Sequence, residues 1–281
     1  MFVKAYAKIN LFLDVISKRD DGYHELDMVM LPLELHDSIE ISTSPVLKDS
    51  FITTDHIDLR IAKHNLINAT LEEMRKRYDI KQNYIINAHK EIPISAGLGG
   101  GSSNAAATIK AIEHINKLKL SKEEEIELGC SLGADVPFCL ANVPAHVQGI
   151  GEKITPIKMK KKYDVIIVKP EQGLSTRRVF ELADTLELDH SNVDGVIKAL
   201  ETGDDDLLEK SLFNSLEKPS ISMVPEIQKV KDTLKKMGFK LVLMSGSGSS
   251  VFALTTNHKL AYLKFKELEK KGYEVYLTKT L

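Results

Sequence analysis

The residues best suited to chemistry form one stretch, Pro93-Ile94-Ser95-Ala96-Gly97-Leu98-Gly99-Gly100-Gly101-Ser102-Ser103-Asn104-Ala105. Its glycines and serines carry little side-chain bulk, so backbone N–H groups can converge on an anion, and glycine tolerates the positive φ values of a concave turn. Ala105, Ile109, Ile112 and Ile115 follow at helical spacing, which predicts a helix beginning near Ser103. The loop would deliver a phosphate to a helix N-terminus, where unpaired N–H groups and roughly half a positive charge of macrodipole favour it. The bland alternative is a glycine-rich surface loop that merely caps the helix. Neither standard nucleotide motif fits. No lysine follows the glycines as a P-loop requires, and the sixth position from Gly97 is Ser102 where a dinucleotide fold needs glycine.

The flanking elements have the order a phosphate site needs. Tyr84 to Lys90 reads as a strand entering the loop, and Asn65 to Tyr78 as a helix. Near the N-terminus the odd positions from Val3 to Val15 are apolar, a half-buried strand whose other face carries Lys8 and Asn10, about 7 Å apart and exposed. Asp20-Asp21-Gly22 makes a turn, followed by Tyr23-His24-Glu25, a strand to about Leu35 and a second short strand over Asp37–Ile41. Ser121 with Glu124 fits a capping box for a helix closed by Gly133. Asp135 then stands where an N-cap would, or where a carboxylate could act on a substrate; the pattern leaves both open.

The cluster Lys158, Lys160, Lys161 and Lys162 reads as a solvated connection between domains at 1–157 and 163–281. Beyond it come a strand at 165–168, helices near 176–186, 205–212 and 225–237, strands at 240–244 and 251–254, a helix at 258–271 and a strand at 273–277. Extra helices aside, this is a β-α-β-β-α-β order, the ferredoxin-like pattern.

At 281 residues, 43% hydrophobic and 28% charged, the chain is expected to form about two globular domains. Its net charge of −2, with both signs interspersed, argues against a nucleic-acid footprint. Cys130 and Cys139 fit neither a zinc site nor a disulfide framework and are expected to be buried small hydrophobes. The N-terminal stretch lacks a signal-peptide pattern, no run approaches the ~20 apolar residues of a membrane span, and a cytoplasmic protein is expected.

Three blocks together resemble the GHMP kinases. Ala7-Lys8-Ile9-Asn10-Leu11-Phe12-Leu13 with Asp21-Gly22-Tyr23-His24 is similar to the family's opening. The glycine loop with Leu132-Gly133-Ala134-Asp135-Val136-Pro137-Phe138 is similar to its second block, and Met244-Ser245-Gly246-Ser247-Gly248-Ser249-Ser250-Val251-Phe252 to its third. Ser249 stands where the family usually has proline. The resemblance implies an α+β, two-domain architecture: an N-terminal α/β domain with a left-handed β-α-β phosphate-binding region and a ferredoxin-like C-terminal domain. It is nearest to the branch whose acceptor is a cytidine diphosphate-linked methylerythritol. That implies ATP-dependent phosphorylation of the acceptor's 2-hydroxyl, in non-mevalonate isoprenoid precursor synthesis.

Roles follow from the same resemblance. An alcohol needs a carboxylate to take its proton as the phosphoryl group arrives, and the family position is Asp135. Lys8, beside it in the family, would keep it ionised and offset charge on the transferred phosphate. Asn10 would orient substrate hydroxyls. Pro93 to Ser103 would hold ATP with Mg²⁺, Lys90 would approach the nucleotide, and Asn65 and Leu66 would lie near the adenine; the Mg²⁺ ligands are not assigned. Tyr23, His24 and Phe180 would sandwich and hydrogen-bond the cytosine, a stacking contact worth roughly 1 to 3 kcal/mol. Expected partners are the small-molecule substrate alone, neither nucleic acid nor membrane, with the chain a monomer or homodimer. Competing readings are a kinase for another small alcohol, such as homoserine or a mevalonate derivative, and a GHMP fold kept as a non-catalytic sensor.

Overall fold

The structure is a computed structural model that describes residues 1–55 and 65–281. It groups into two compact units that are not contiguous in sequence. The first holds residues 1–7, 35–92 and 99–142; the second holds 8–34, 93–98 and 143–281. Strands β1 (Phe2–Lys18) and β2 (His24–Thr43) contribute residues to both.

In the first unit the later half of β2 pairs antiparallel with β4 (Tyr84–His89), and β3 (Phe51–Thr54) adds to β4 in parallel. Helices α1 (Leu66–Tyr78), α2 (Gly100–Asn116), α3 (Lys122–Leu132) and α4 (Val136–Ala141) share its core. Ile39 and Ile41 from β2 meet Leu71, Ile109, Leu128 and Val136 from the four helices, all excluded from water. The capping box forms as its spacing predicts: Ser121 Oγ accepts from Glu124 N at 3.2 Å and Glu124 Oε2 from Ser121 N at 2.7 Å. Cys130 and Cys139 form no disulfide and are half-buried rather than buried.

In the second unit the first half of β2 pairs antiparallel with β5 (Ala145–Gly149), which pairs with β6 (Lys153–Pro156). The short β8 (Phe213–Asn214) lies parallel to β1, Phe12 opposite Phe213. A separate antiparallel sheet has the order β11 (Glu274–Lys279), β7 (Asp164–Lys169), β10 (Val251–Thr255), β9 (Leu241–Met244), and α9 (Glu226–Lys236) and α10 (His258–Lys270) make its two crossovers. In chain order that is 4-1-3-2, the arrangement the β-α-β-β-α-β reading expects. Helices α5 (Thr176–Ala183), α6 (Asp194–Thr202), α7 (Asp205–Ser211) and α8 (Glu217–Met223) fill the long connection between β7 and α9.

Three further expectations need correction. His24–Thr43 form one continuous strand, because β2 changes partner from β5 to β4 without a break. Helix α2 begins at Gly100, before Ser103: intrinsic propensity disfavours glycine in a first turn, yet a Cβ at Gly100 would meet Ile92 Cγ2 at 3.1 Å and one at Gly101 would meet Leu66 Cδ1 at 3.3 Å. The polar face of β1 is not exposed either, since Lys8 is 4% and Asn10 0% accessible. Both faces of the strand are covered, so alternation marks facing and not wetting.

Candidate functional site

In the first unit the end of the glycine loop is a helix terminus without a side-chain cap. Gly99, at φ 71, is the N-cap of α2, and among the described residues no side chain accepts from the first-turn N–H groups. The first turn closes through Ser103 N to Gly99 O at 2.8 Å. A 17-residue helix starting this way presents its N–H groups and dipole to an anion. Ser103 is buried and its hydroxyl donates to the Tyr6 carbonyl, whereas Ser102 is half-buried. Asn65 caps α1, its Oδ1 accepting from Ile67 N at 2.9 Å, and Leu66 packs against Gly101 at the start of α2.

Lys90 is not a solvated cation reaching outward. Its ammonium donates to Asp37 and, at 3.0 Å, to Asn104 Oδ1, and its side chain is 5% accessible. Asp135 precedes α4 with helical φ and ψ of −83° and −10°; its carbonyl accepts from Cys139 N, and its side chain makes no cap hydrogen bond among the described residues. The N-cap alternative therefore rests on backbone alone, and the carboxylate is not spent on capping.

In the second unit Lys8 and Asn10 do share one face of β1. Lys8 Nζ donates to Asn10 Oδ1 at 2.9 Å, and Asn10 Nδ2 points at Met28 Sδ, 3.5 Å away. A Cβ at Gly246 would stand 3.3 Å from Lys8 Nζ and 3.5 Å from Asn10 Oδ1, so the third glycine block backs onto these two polar groups. The first part of the glycine loop is bound to the same block. Lys8 N donates to Leu98 O at 3.0 Å, Ser245 Oγ to Gly97 O at 3.0 Å, and Ser250 N to Ala96 O at 3.3 Å. Pro93, Ile94 and Ser95 make the turn before it, Ser95 with φ 54 and its carbonyl accepting from Leu174 N. Asn214 on β8 fastens the block from the other side, its Nδ2 donating to the Met244 and Gly246 carbonyls at 3.0 and 2.8 Å.

Two of the three predicted base-binding residues, His24 and Phe180, come together. The His24 ring lies 4.7 Å from that of Phe180, tilted by 33°. Tyr23, next to His24 in sequence, is 54% accessible. Asp184, at the C-terminus of α5, takes His24 Nε2 at 2.6 Å and Lys18 Nζ at 2.5 Å; the contact with His24, then that with Lys18, holds its carboxyl below the usual range. A charged carboxylate only accepts, so Nε2 carries the hydrogen.

Sequence reasoning missed Asp37, Asp184 and Asn214. Each was visible as a polar residue in or beside an apolar pattern, but nothing local marked its partner. Among the described residues no three His, Cys, Asp or Glu side chains gather as a metal cluster, and no helix is long and apolar enough to cross a membrane.

The whole chain is similar to known proteins. The description "GHMP kinases N terminal domain" matches residues 65–143 and "GHMP kinases C terminal" matches 196–274. A 4-diphosphocytidyl-2-C-methyl-D-erythritol kinase of Caldicellulosiruptor saccharolyticus is 40% identical, over 100% of this chain and 97% of its own. The enzyme of the same name from Clostridium kluyveri is 39% identical over 100% of both. A crystal structure of 4-(cytidine 5'-diphospho)-2C-methyl-D-erythritol kinase superposes with a TM-score of 0.82 at 28% identity, covering 100% of this chain and 99% of that one. A crystal structure of L. major mevalonate kinase in complex with R-mevalonate reaches a TM-score of 0.76 at 14% identity, covering 100% of this chain and 95% of that one, a likeness of fold alone.

Proposed function

The chain belongs to the GHMP kinases, and from that premise, with full-length relatives that are 4-diphosphocytidyl-2-C-methyl-D-erythritol kinases, we propose a division of labour among its residues. The protein is an ATP-dependent kinase of isoprenoid precursor synthesis. Its acceptor is 4-diphosphocytidyl-2-C-methyl-D-erythritol, phosphorylated on the 2-hydroxyl with release of ADP. In our reading its two family domains divide at 1–157 and 163–281, and it works in the cytoplasm as a monomer or homodimer.

What supports the nucleotide assignment is the glycine-capped start of α2. In this reading Pro93 to Ser103 cradle the triphosphate on backbone N–H groups, and Asn65 and Leu66 border the adenine. Lys90 serves the nucleotide only through the first turn of α2, given its buried ion pair. Asp135 takes the acceptor's proton as the hydroxyl attacks, and Lys8 offsets charge on the phosphoryl oxygens. Asn10, held by Lys8, orients acceptor hydroxyls through its amide. Tyr23, His24 and Phe180 supply aromatic faces for the cytosine.

Mg²⁺ is compatible with the donor set. Magnesium keeps several waters and is commonly held by one or two carboxylates and substrate phosphates, so a three-ligand protein cluster is not required. The Ser102 hydroxyl would hold it together with the nucleotide's phosphates and water; when bound, it supplies charge neutralisation on the phosphates. The test is ADP release with 4-diphosphocytidyl-methylerythritol beside mevalonate and homoserine as acceptors. Turnover is expected with the cytidyl alcohol, and equal turnover on either of the others would overturn the acceptor assignment.

A further inference from the structure

Asp37 is a buried charge with partners on both carboxylate oxygens. It is 0% accessible, and its Oδ1 accepts from Glu91 N and Ile92 N, both at 2.8 Å. Its Oδ2 accepts from Asn104 Nδ2 at 2.8 Å and from the Lys90 ammonium. Lys90 closes the ring by donating to Asn104 Oδ1. One carboxylate thus binds the last residues of the chain before the glycine loop and the second turn of the helix after it. The Lys90 ammonium lies 3.4 Å from where a Cβ on Gly100 would stand, directly beneath the first helical residue.

We propose that Asp37 is a positioning residue for phosphoryl transfer, holding the first turn of α2 in register with residues 90–92 so that its N–H groups are aimed before nucleotide arrives. The inference rests on the reading that this turn receives the triphosphate. Preorganised donors bind an anion without the ordering cost a loose turn would incur. A buried carboxylate or ammonium is tolerated only when paired, so the ring holds together as a unit and removing one member leaves the others badly placed.

Asp37→Asn and the milder Asn104→Ala test this by calorimetric affinity for a non-hydrolysable ATP analogue and by the KM of the acceptor. Asn104→Ala is expected to weaken nucleotide binding about fivefold and Asp37→Asn about tenfold or more, with acceptor KM at saturating ATP within about twofold of wild type. Ser121→Ala, which loosens α3 in the same unit, should lower thermal stability without moving nucleotide affinity, so general destabilisation is told apart. Gly101→Val crowds the turn itself. If it leaves nucleotide affinity unchanged, the turn is not the triphosphate site; if it weakens binding while folded Asp37→Asn and Asn104→Ala do not, the positioning role alone falls. Should Asp37→Asn fail to fold, Asn104→Ala decides, and parallel losses in nucleotide affinity and acceptor KM would overturn the proposal.

Discussion

His24 Nε2 lies 2.6 Å from Asp184 Oδ1, joining the first residue of β2 to the end of α5. That contact holds the imidazole against Phe180, so Asp184 governs the aromatic faces without being one of them. Asp184→Ala is expected to raise the acceptor KM about tenfold through loss of a charge-assisted contact, while kcat and the KM for ATP change little. An unchanged acceptor KM would remove Asp184 from recognition.

The same carboxylate gives a pH signature. Its folded pKa is lowered, first by the His24 contact and then by Lys18. A group depressed in the folded state stabilises fully above its unfolded value, near 4, and loses that contribution as pH falls through the folded value. The difference in thermal midpoint between wild type and Asp184→Ala should therefore be present above about pH 4 and shrink below it, as scanning calorimetry would read.

If Asp135 takes the hydroxyl proton, Asp135→Asn should lower kcat on the order of a hundredfold or more and leave nucleotide affinity near wild type. The turn into α4 should survive, since the Asp135 carbonyl, not a side-chain cap, bonds Cys139 N. Single-turnover rates with both substrates saturating provide the measurement, and an undiminished rate would exclude Asp135 as base.

The strand, glycine loop and helix were legible in the sequence because each is written in local spacing: Tyr84 to Lys90, then the small residues, then Ala105, Ile109 and Ile112. The Ser121 capping box and the four strands of the C-terminal sheet were legible for the same reason. Asp37 was not, as its ammonium partner is 53 residues away, nor was Asp184, whose histidine is 160 away. Sequence pattern reports which side chains leave water together on one element, whereas pairing across elements depends on topology. The short β3, β5, β6 and α8 were missed because four to seven residues carry too little periodicity. Lys90 shows a mixed outcome: its place beside the loop was readable, its commitment to a buried carboxylate was not.

Gly246 has φ +56, and a Cβ there would stand 3.0 Å from Gly97 O as well as 3.3 Å from Lys8 Nζ. Gly246→Ala is thus expected to displace the ammonium or the loop carbonyl, lowering kcat at least about tenfold. Steady-state kinetics alongside a thermal melt would check it. Wild-type kcat in the alanine variant would mean that Lys8 need not occupy its observed place.

Two serines of the same block should respond oppositely to loss of their hydroxyls. Ser245 Oγ donates to Gly97 O at 3.0 Å, so Ser245→Ala leaves a loop carbonyl without that donor and is expected to cost about 1 kcal/mol. Ser250 is 0% accessible, and its Oγ has no hydrogen-bond partner among the described residues. The folded state there carries a desolvated hydroxyl with no compensating bond, a burden that alanine lifts while keeping the backbone bond from residue 250 to Ala96 O. Ser250→Ala should be neutral or stabilising by up to about 1 kcal/mol, read as an unchanged or higher denaturation midpoint. A loss for Ser250→Ala as large as that for Ser245→Ala would show that the hydroxyl is bonded in solution.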